Sequence, residues 1–430
     1  MGQTTGSFEQ AIDAQGGKEK NASVIMFARL GTMMLLEGFV WGSWFATLGL
    51  VLATHQLPTI IGYAYSLAAV AAIVSPLFLG AIGDRFMASQ KLLGIAHLLG
   101  AVLMLFVPSA VLAGAGWLVL LLIFAYMLLF QPTCGLINQI AFRHLDASFF
   151  PYIRLPLTIG WIGSGLFVGY LNLSASTGIF TVAGCASILF AVYAFTLPAT
   201  PPAAKGNKLS FGDLIGARAF VLFQDRNFAI LFVCVFLTST SLGVYNTFGS
   251  AYLGALGIQN VAGVLAIGVT SELLFISTIP FVLKRIGVKW AMLLGMGMWG
   301  LRFTLFIAAA HGHASLAIAS VALHGICNDF FLIISAMYVD RIAPEKVSAQ
   351  AQSWLILDIN GFGALIGSFA AGQIFGATVA VMPDAGPAAW TPIWLVPIGS
   401  AVITAVLWIS LFRLSVKEEP KRLVLPESAQ

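Results

Sequence analysis

Charge is what this sequence has least of. Asp, Glu, Lys and Arg together make 9% of its 430 residues, against roughly 25% in ordinary soluble domains. Hydrophobic residues reach 59%, and the mean hydropathy is +0.94. No water-soluble fold can bury so much apolar surface, which excludes a soluble enzyme. The 33 phenylalanines exclude a disordered or fibrous chain. The solvent is therefore lipid. Cysteine is also scarce. Cys134, Cys185, Cys234 and Cys327 all lie in apolar runs and none forms a C-x-x-C. They read as small packing residues, not as a disulfide frame or a metal site. There is no P-loop, so ATP is not the expected energy source. No loop is long enough for a catalytic domain, so no enzyme activity is expected. No cofactor, metal, nucleic acid or obligate protein partner is expected either.

Residues 1–24 are polar and lack the basic and apolar regions of a signal peptide. They read as a disordered cytoplasmic tail. Twelve apolar runs follow, from 26–53 to 390–414. Each matches the roughly 20 residues that a helix needs to cross a bilayer. Stretches 118–130 and 261–269 are apolar on every side, which excludes the alternating strands of a barrel. The polar stretch 198–227 divides the runs six and six. The expectation is an all-α membrane protein of twelve transmembrane helices in two six-helix pseudo-repeats. The first bundle covers 25–197 and the second 228–415, with a linker at 198–227 and a cytoplasmic tail at 416–430.

Lys and Arg are missing from one whole set of loops. Arg85, Lys91, Arg143, Lys205, Lys208, Arg226, Lys284, Arg285, Lys289, Arg341 and Lys346 follow even-numbered runs, whereas the opposite loops offer only His55, His311, His313 and Asp384. Cytoplasmic loops carry the excess of Lys and Arg, so both termini are expected in the cytoplasm. The halves also echo each other. Gly160, Gly163, Gly165 and Gly169 in the fifth run match Gly361, Gly363, Gly367 and Gly372 in the eleventh. Small residues at such spacing let helices approach closely. Two six-helix halves related along the membrane normal form a transporter architecture, with a midplane site between them.

Six charged side chains nevertheless lie within apolar runs: Glu37, Arg154, Glu272, Arg302, Asp329 and Asp358. A charge at the bilayer centre costs roughly 2.5–3.5 kcal/mol on insertion scales. Six of them point to a water-filled interior. Helical spacing puts Arg154, Thr158, Trp161 and Gly165 on one face, and Glu37, Trp41 and Trp44 on another. His324, Asn328, Phe331 and Ser335 share a third, beside Asp329. Gln131, Asn138 and Asn246 add polar groups. Such a lining suits a ligand with a planar face and several hydroxyls or ring nitrogens. The plainer readings stay open. Trp41 and Trp44 also fit membrane packing, Asn138 and His324 a helix interface, and Arg302 a structural partner of an acid in its own half. Asp358 also fits a bond to broken backbone near Asn360-Gly361. Asp84 and Arg85, at a span end, read as a gating contact.

Gly80-x-x-Gly83-Asp84-Arg85 resembles the signature loop of the major facilitator superfamily, although Met87 stands where that pattern has a further glycine. A closer resemblance covers nearly the whole chain. Trp41-Gly-Ser-Trp44-x-x-Thr47-Leu-Gly49, Pro132-Thr-Cys-Gly-Leu-Ile-Asn138, Ile153-Arg154-x-x-x-Thr158-Ile-Gly160 and Asn246-x-Phe-Gly249 look like the nucleoside:proton symporter family. So do Ser271-Glu272-x-Leu-Phe275, Leu301-Arg302-Phe303, Asp329-Phe-Phe331 and Asn360-Gly-Phe-Gly363. The resemblance implies a major facilitator fold and proton-driven uptake of nucleosides across the inner membrane. It implies substrate binding or proton coupling at Arg154, Thr158, Asn246 and Glu272, with Asp329 an acidic coupling position. Trp161 stands where a Phe lines the pocket, Gly243 where a glutamine does, and His324 and Asn328 where a tyrosine and a phenylalanine do. Glu37 replaces a more usual glutamine and is a third coupling candidate. Two rivals remain: the same scaffold moving a sugar or drug, and a membrane receptor that does not transport.

Overall fold

The computed structural model describes residues 5–75, 87–145, 149–202 and 217–413. Asp84, Arg85, the central part of the linker and the 416–430 tail lie outside them. Among the described residues there are helices and no strand.

Helix α1 (Thr5–Gly42) breaks at 43–47 and the chain resumes as α2 (Leu48–Thr54). α1 begins inside the segment expected to be disordered. Glu9, Gln10, Ala11, Ala14, Gln15, Lys18 and Glu19 are strong helix formers and carry the span backwards. Then come α3 (Ile61–Ser75), α4 (Ser89–Leu112), α5 (Gly116–His144), α6 (Phe150–Tyr170) and α7 (Gly178–Ala194). After the linker follow α8 (Arg226–Ala255), α9 (Val261–Ile276) and α10 (Ile279–Ala309). Pro280 starts α10, where its missing N–H costs nothing. Gly287, at φ +73° and ψ 171°, is not helical, so this stretch is two helices that meet at Gly287, the end of the eighth apolar run and the start of the ninth.

The next two spans are broken by π-helices. α11 (Ala314–Ala322) and α12 (His324–Asn328) lead into the π-turn Asp329–Ile333 and α13 (Ile334–Ile342). α14 (Glu345–Leu357), the π-turn Asp358–Gly363 and α15 (Ala364–Ala377) follow, and α16 (Thr391–Leu411) ends the described chain. Eight described helices are long and apolar enough to cross a bilayer. The pair Ala314–Ala322 and His324–Ile342, bent by 43°, makes a ninth if it is one span. α7 and α9 are apolar but shorter. The count of twelve therefore does not follow from helix length alone, because breaks shorten several spans.

Packing repeats along the chain. α1 packs on α6 as α8 packs on α15, α4 on α7 as α10 on α16, and α3 on α5 as α9 on α12. The repeated glycines explain the first pair. A Cβ on Gly160 would lie 2.0 Å from the Leu35 carbonyl oxygen, and one on Gly38 would lie 1.9 Å from that of Leu157. In the second set, a Cβ on Gly367 would come 2.2 Å from the Thr240 carbonyl oxygen. Backbones touch directly at these crossings, which only glycine permits.

The two sets of helices meet through α2 and α3 against α8 and α15, and through α6 against α9. Many of these contacts lie near one face. Leu50 N–H donates to Ser250 Oγ (3.2 Å), and Ser66 Oγ is 3.1 Å from Ser368 Oγ. Ala262 N–H donates to Ser174 Oγ (3.2 Å) and Gln373 Nε2 to Tyr63 Oη (3.3 Å). A Cβ on Gly62 would lie 2.6 Å from Gly372 Cα. This is the face whose loops lack Lys and Arg.

Candidate functional site

A cavity of about 290 Å³ lies between the two sets of helices. α1 supplies Trp41, and the break that follows it supplies Phe45 and Ala46. α6 supplies Arg154, Leu157, Thr158 and Trp161, at i, i+3, i+4 and i+7 on a single stripe as their spacing predicts. α8 adds Leu242, Tyr245, Asn246 and Ser250, and α9 adds Leu265, Val269 and Glu272. His324 and Asn328 come from α12 and Asn360 from the second π-turn. Trp41 meets Trp161 edge-on at 4.9 Å between centroids, and Phe45 meets Tyr65 at 5.0 Å. One wall is thus aromatic and the others carry hydrogen-bonding groups. A smaller pocket beside it shares Trp41, Phe45, Asn246 and Asn360 and holds Gln131 and Gly243.

The wall opposite α6 is a connected chain of polar groups. Gly325 lets α12 press on α9: its Cβ would come 2.4 Å from the Ser271 carbonyl carbon, and its N–H donates to Ser271 Oγ at 2.8 Å. That contact brings Glu272, the next residue, against α12. His324 Nε2 is 2.9 Å from Glu272 Oε1, and Asn328 Nδ2 donates to the same oxygen at 3.1 Å. Behind them Arg302, fully buried, approaches His324 Nδ1 with Nη1 at 2.6 Å. Its guanidinium stacks 3.7 Å over the Tyr245 ring centroid. A desolvated cation is stabilised by such a ring face. No acid bonds Arg302 directly among the described residues; its Nε and Nη2 have no hydrogen-bond partner. The expected acidic partner is replaced by a histidine that leads on to Glu272.

The sequence profile of the nucleoside H+ symporter family matches residues 24–417. The chain belongs to the nucleoside H+ symporter family. Three Escherichia coli proteins are similar to it over most of their length. YegT is 35% identical over 406 residues, 91% of this chain and 95% of its own. Xanthosine permease is 31% identical over 418 residues, 92% and 97% of the two chains. Nucleoside permease NupG is 30% identical over 413 residues, 90% and 95%. The crystal structure of the nucleoside transporter NupG superposes with a TM-score of 0.79 at 28% identity, covering 91% of this chain and all of that one. The fold is the major facilitator fold.

Several expected site residues of this nucleoside H+ symporter homologue lie elsewhere. Trp44 is fully buried against Phe180 and Tyr126, although it shares helical spacing with Trp41. The helix ends at Gly42, so the spacing no longer holds and Trp44 turns into the core. Glu37 is also buried within its own set of helices. His97 Nε2 lies 2.9 Å from its Oε2, and Thr133 Oγ donates to its Oε1 at 2.6 Å. Asn138 does not line the cavity, and its Oδ1 is buried without a hydrogen-bond partner among the described residues. Asp329 and Asp358 each begin a π-turn, buried and outside the cavity lining. Both Asp358 oxygens lack a hydrogen-bond partner among the described residues, so the expected bond to broken backbone is not made. Asp84 and Arg85 are outside the described residues. Spacing missed Phe45, Tyr245 and Asn360. The first depends on the helix break, the second sits beside Asn246, and the third sits in an Asn-Gly pair where the helix widens.

Proposed function

We propose that this chain takes up nucleosides together with protons by alternating access. The observation that carries this reading is the composition of the cavity between the two sets of helices. Trp41, Trp161 and Phe45 offer ring faces to a planar base. Arg154, Thr158, Asn246 and Asn328 offer bonds to ribose hydroxyls and ring nitrogens. Glu272 is the one carboxylate among the described lining residues, so a single group there couples proton and substrate. Membership of a nucleoside H+ symporter family, and likeness to the nucleoside transporter NupG, support the same substrate and driving ion.

In this reading residues 25–197 rock against 228–415 about the cavity. The termini are cytoplasmic in an inner membrane, since the loops rich in Lys and Arg adjoin them. The face closed by Gly62, Gly372, Ser66 and Ser368 is then the outer one, and the described state opens inward. Purified protein in sealed liposomes, offered a panel of nucleosides and sugars under an inward proton gradient, tests it. Nucleosides should accumulate and a protonophore should abolish the accumulation. Sugar accumulation alone, or binding without flux, would reject it.

A further inference from the structure

We propose that Arg302 is a positioning residue for proton coupling. It holds His324 as the neutral tautomer with its proton on Nε2, so that His324 anchors Glu272 without itself exchanging a proton. This rests on the proton-coupled reading above.

A guanidinium has donors only. At 2.6 Å from Arg302 Nη1, His324 Nδ1 must therefore accept. The ring proton is left on Nε2, which points at Glu272 Oε1 from 2.9 Å. Asn328 Nδ2 donates to that same oxygen. Two donors fill Oε1, and the proton that Glu272 gains and loses is carried on Oε2. An O–H bond forms there as a hydronium ion in the cavity gives up its proton and becomes water, and it breaks by passing that proton back to a water molecule after the cavity switches sides. The Nε2–H bond stays intact throughout. A second proton on His324 would set an N–H against the guanidinium N–H, cation facing cation in a buried site. The groups facing His324 are Glu272 on α9, Arg302 with the Trp299 ring on α10, and Tyr245 on α8, whose ring centroid is 5.5 Å away. Asp329 and Cys327 follow on its own span. Among the described residues, Arg302 supplies the only cation facing His324.

The test separates an anchor from a relay. Glutamine carries an N–H near the place of the ring Nε2 and cannot titrate. Because His324 lines the cavity, H324Q should raise KM and slow uptake, but the pH dependence of what remains should keep its native shape. Loss of accumulation with downhill exchange intact would make His324 a proton carrier and overturn the inference. R302M should add a second ionisation to the pH profile of uptake, within about pH 5 to 8 where a released imidazole titrates. R302K should restore the single ionisation, and so should R302M combined with H324Q. An unchanged R302M profile would overturn the inference. If R302M does not fold, nitrogen NMR of the histidine-labelled native protein decides, with the His324 signal assigned by its loss in H324Q. A neutral Nε2–H ring across about pH 5 to 8 is expected, and a titrating ring would reject it. Failure of the proton-coupled reading looks different: native uptake would then ignore the proton gradient.

Discussion

Glu272 is held by two donors on one oxygen, and that arrangement sets what its replacement should do. Glu272→Gln keeps the shape and can still accept on its carbonyl oxygen, but it cannot exchange a proton. Uphill uptake should vanish while nucleoside exchange at equal pH continues, measured in the same liposomes. Exchange lost along with accumulation would instead make Glu272 a binding group. Opposite it, Thr158→Ala should weaken nucleoside binding by about 0.5–1.5 kcal/mol, one neutral hydrogen bond. Arg154→Ala should cost more, since a charge-assisted bond is stronger. Calorimetric titration checks both, and unchanged affinity in the pair would remove α6 from the site. At this scale the sequence shows the α6 stripe clearly, because one unbroken helix carries Arg154, Thr158 and Trp161. It does not show the Arg302–His324–Glu272 chain. Those residues sit on three different spans, and no spacing rule relates them.

Between helices, the close crossings depend on single hydrogen atoms. A Cβ at Gly160 meets the backbone oxygen of Leu35 at 2.0 Å, where no side chain can turn aside. Gly160→Ala should lower stability by about 1–3 kcal/mol, the usual cost of overpacking, read from thermal unfolding in detergent. Gly367→Ala should do the same at the repeated crossing of α8 and α15. Unchanged melting in both would mean that the helices separate freely. The glycine spacing in the fifth and eleventh runs makes these crossings legible in advance. The breaks are not legible. The π-turns at Asp329 and Asp358 and the kink after Gly42 arise where tertiary contacts override an otherwise continuous helical pattern. The break after Gly42 is why Trp44 leaves the cavity and Phe45 enters it.

For the whole molecule, sidedness is the property most easily tested. In a background without the native cysteines, a cysteine in the loop at 256–260 should react with an impermeant thiol reagent from outside. One at Arg226 should react only from inside. Reversed labelling would overturn the orientation and, with it, the inward-open assignment. The two-half plan follows from composition, since apolar runs and a one-sided distribution of Lys and Arg survive any uncertainty about where a helix ends. The number of complete spans does not, because broken and shortened helices look alike in an apolar run.

The contacts that shut one face are hydroxyl, amide and backbone groups: Leu50 with Ser250, Ser66 with Ser368, Ala262 with Ser174, Gln373 with Tyr63. All are neutral. Dissolved ions screen charges, not contacts of this kind. The latch should therefore hold equally well in dilute and concentrated salt. A cell whose surroundings swing in ionic strength would find this gate indifferent to the change, while its substrate and proton gradients still move it.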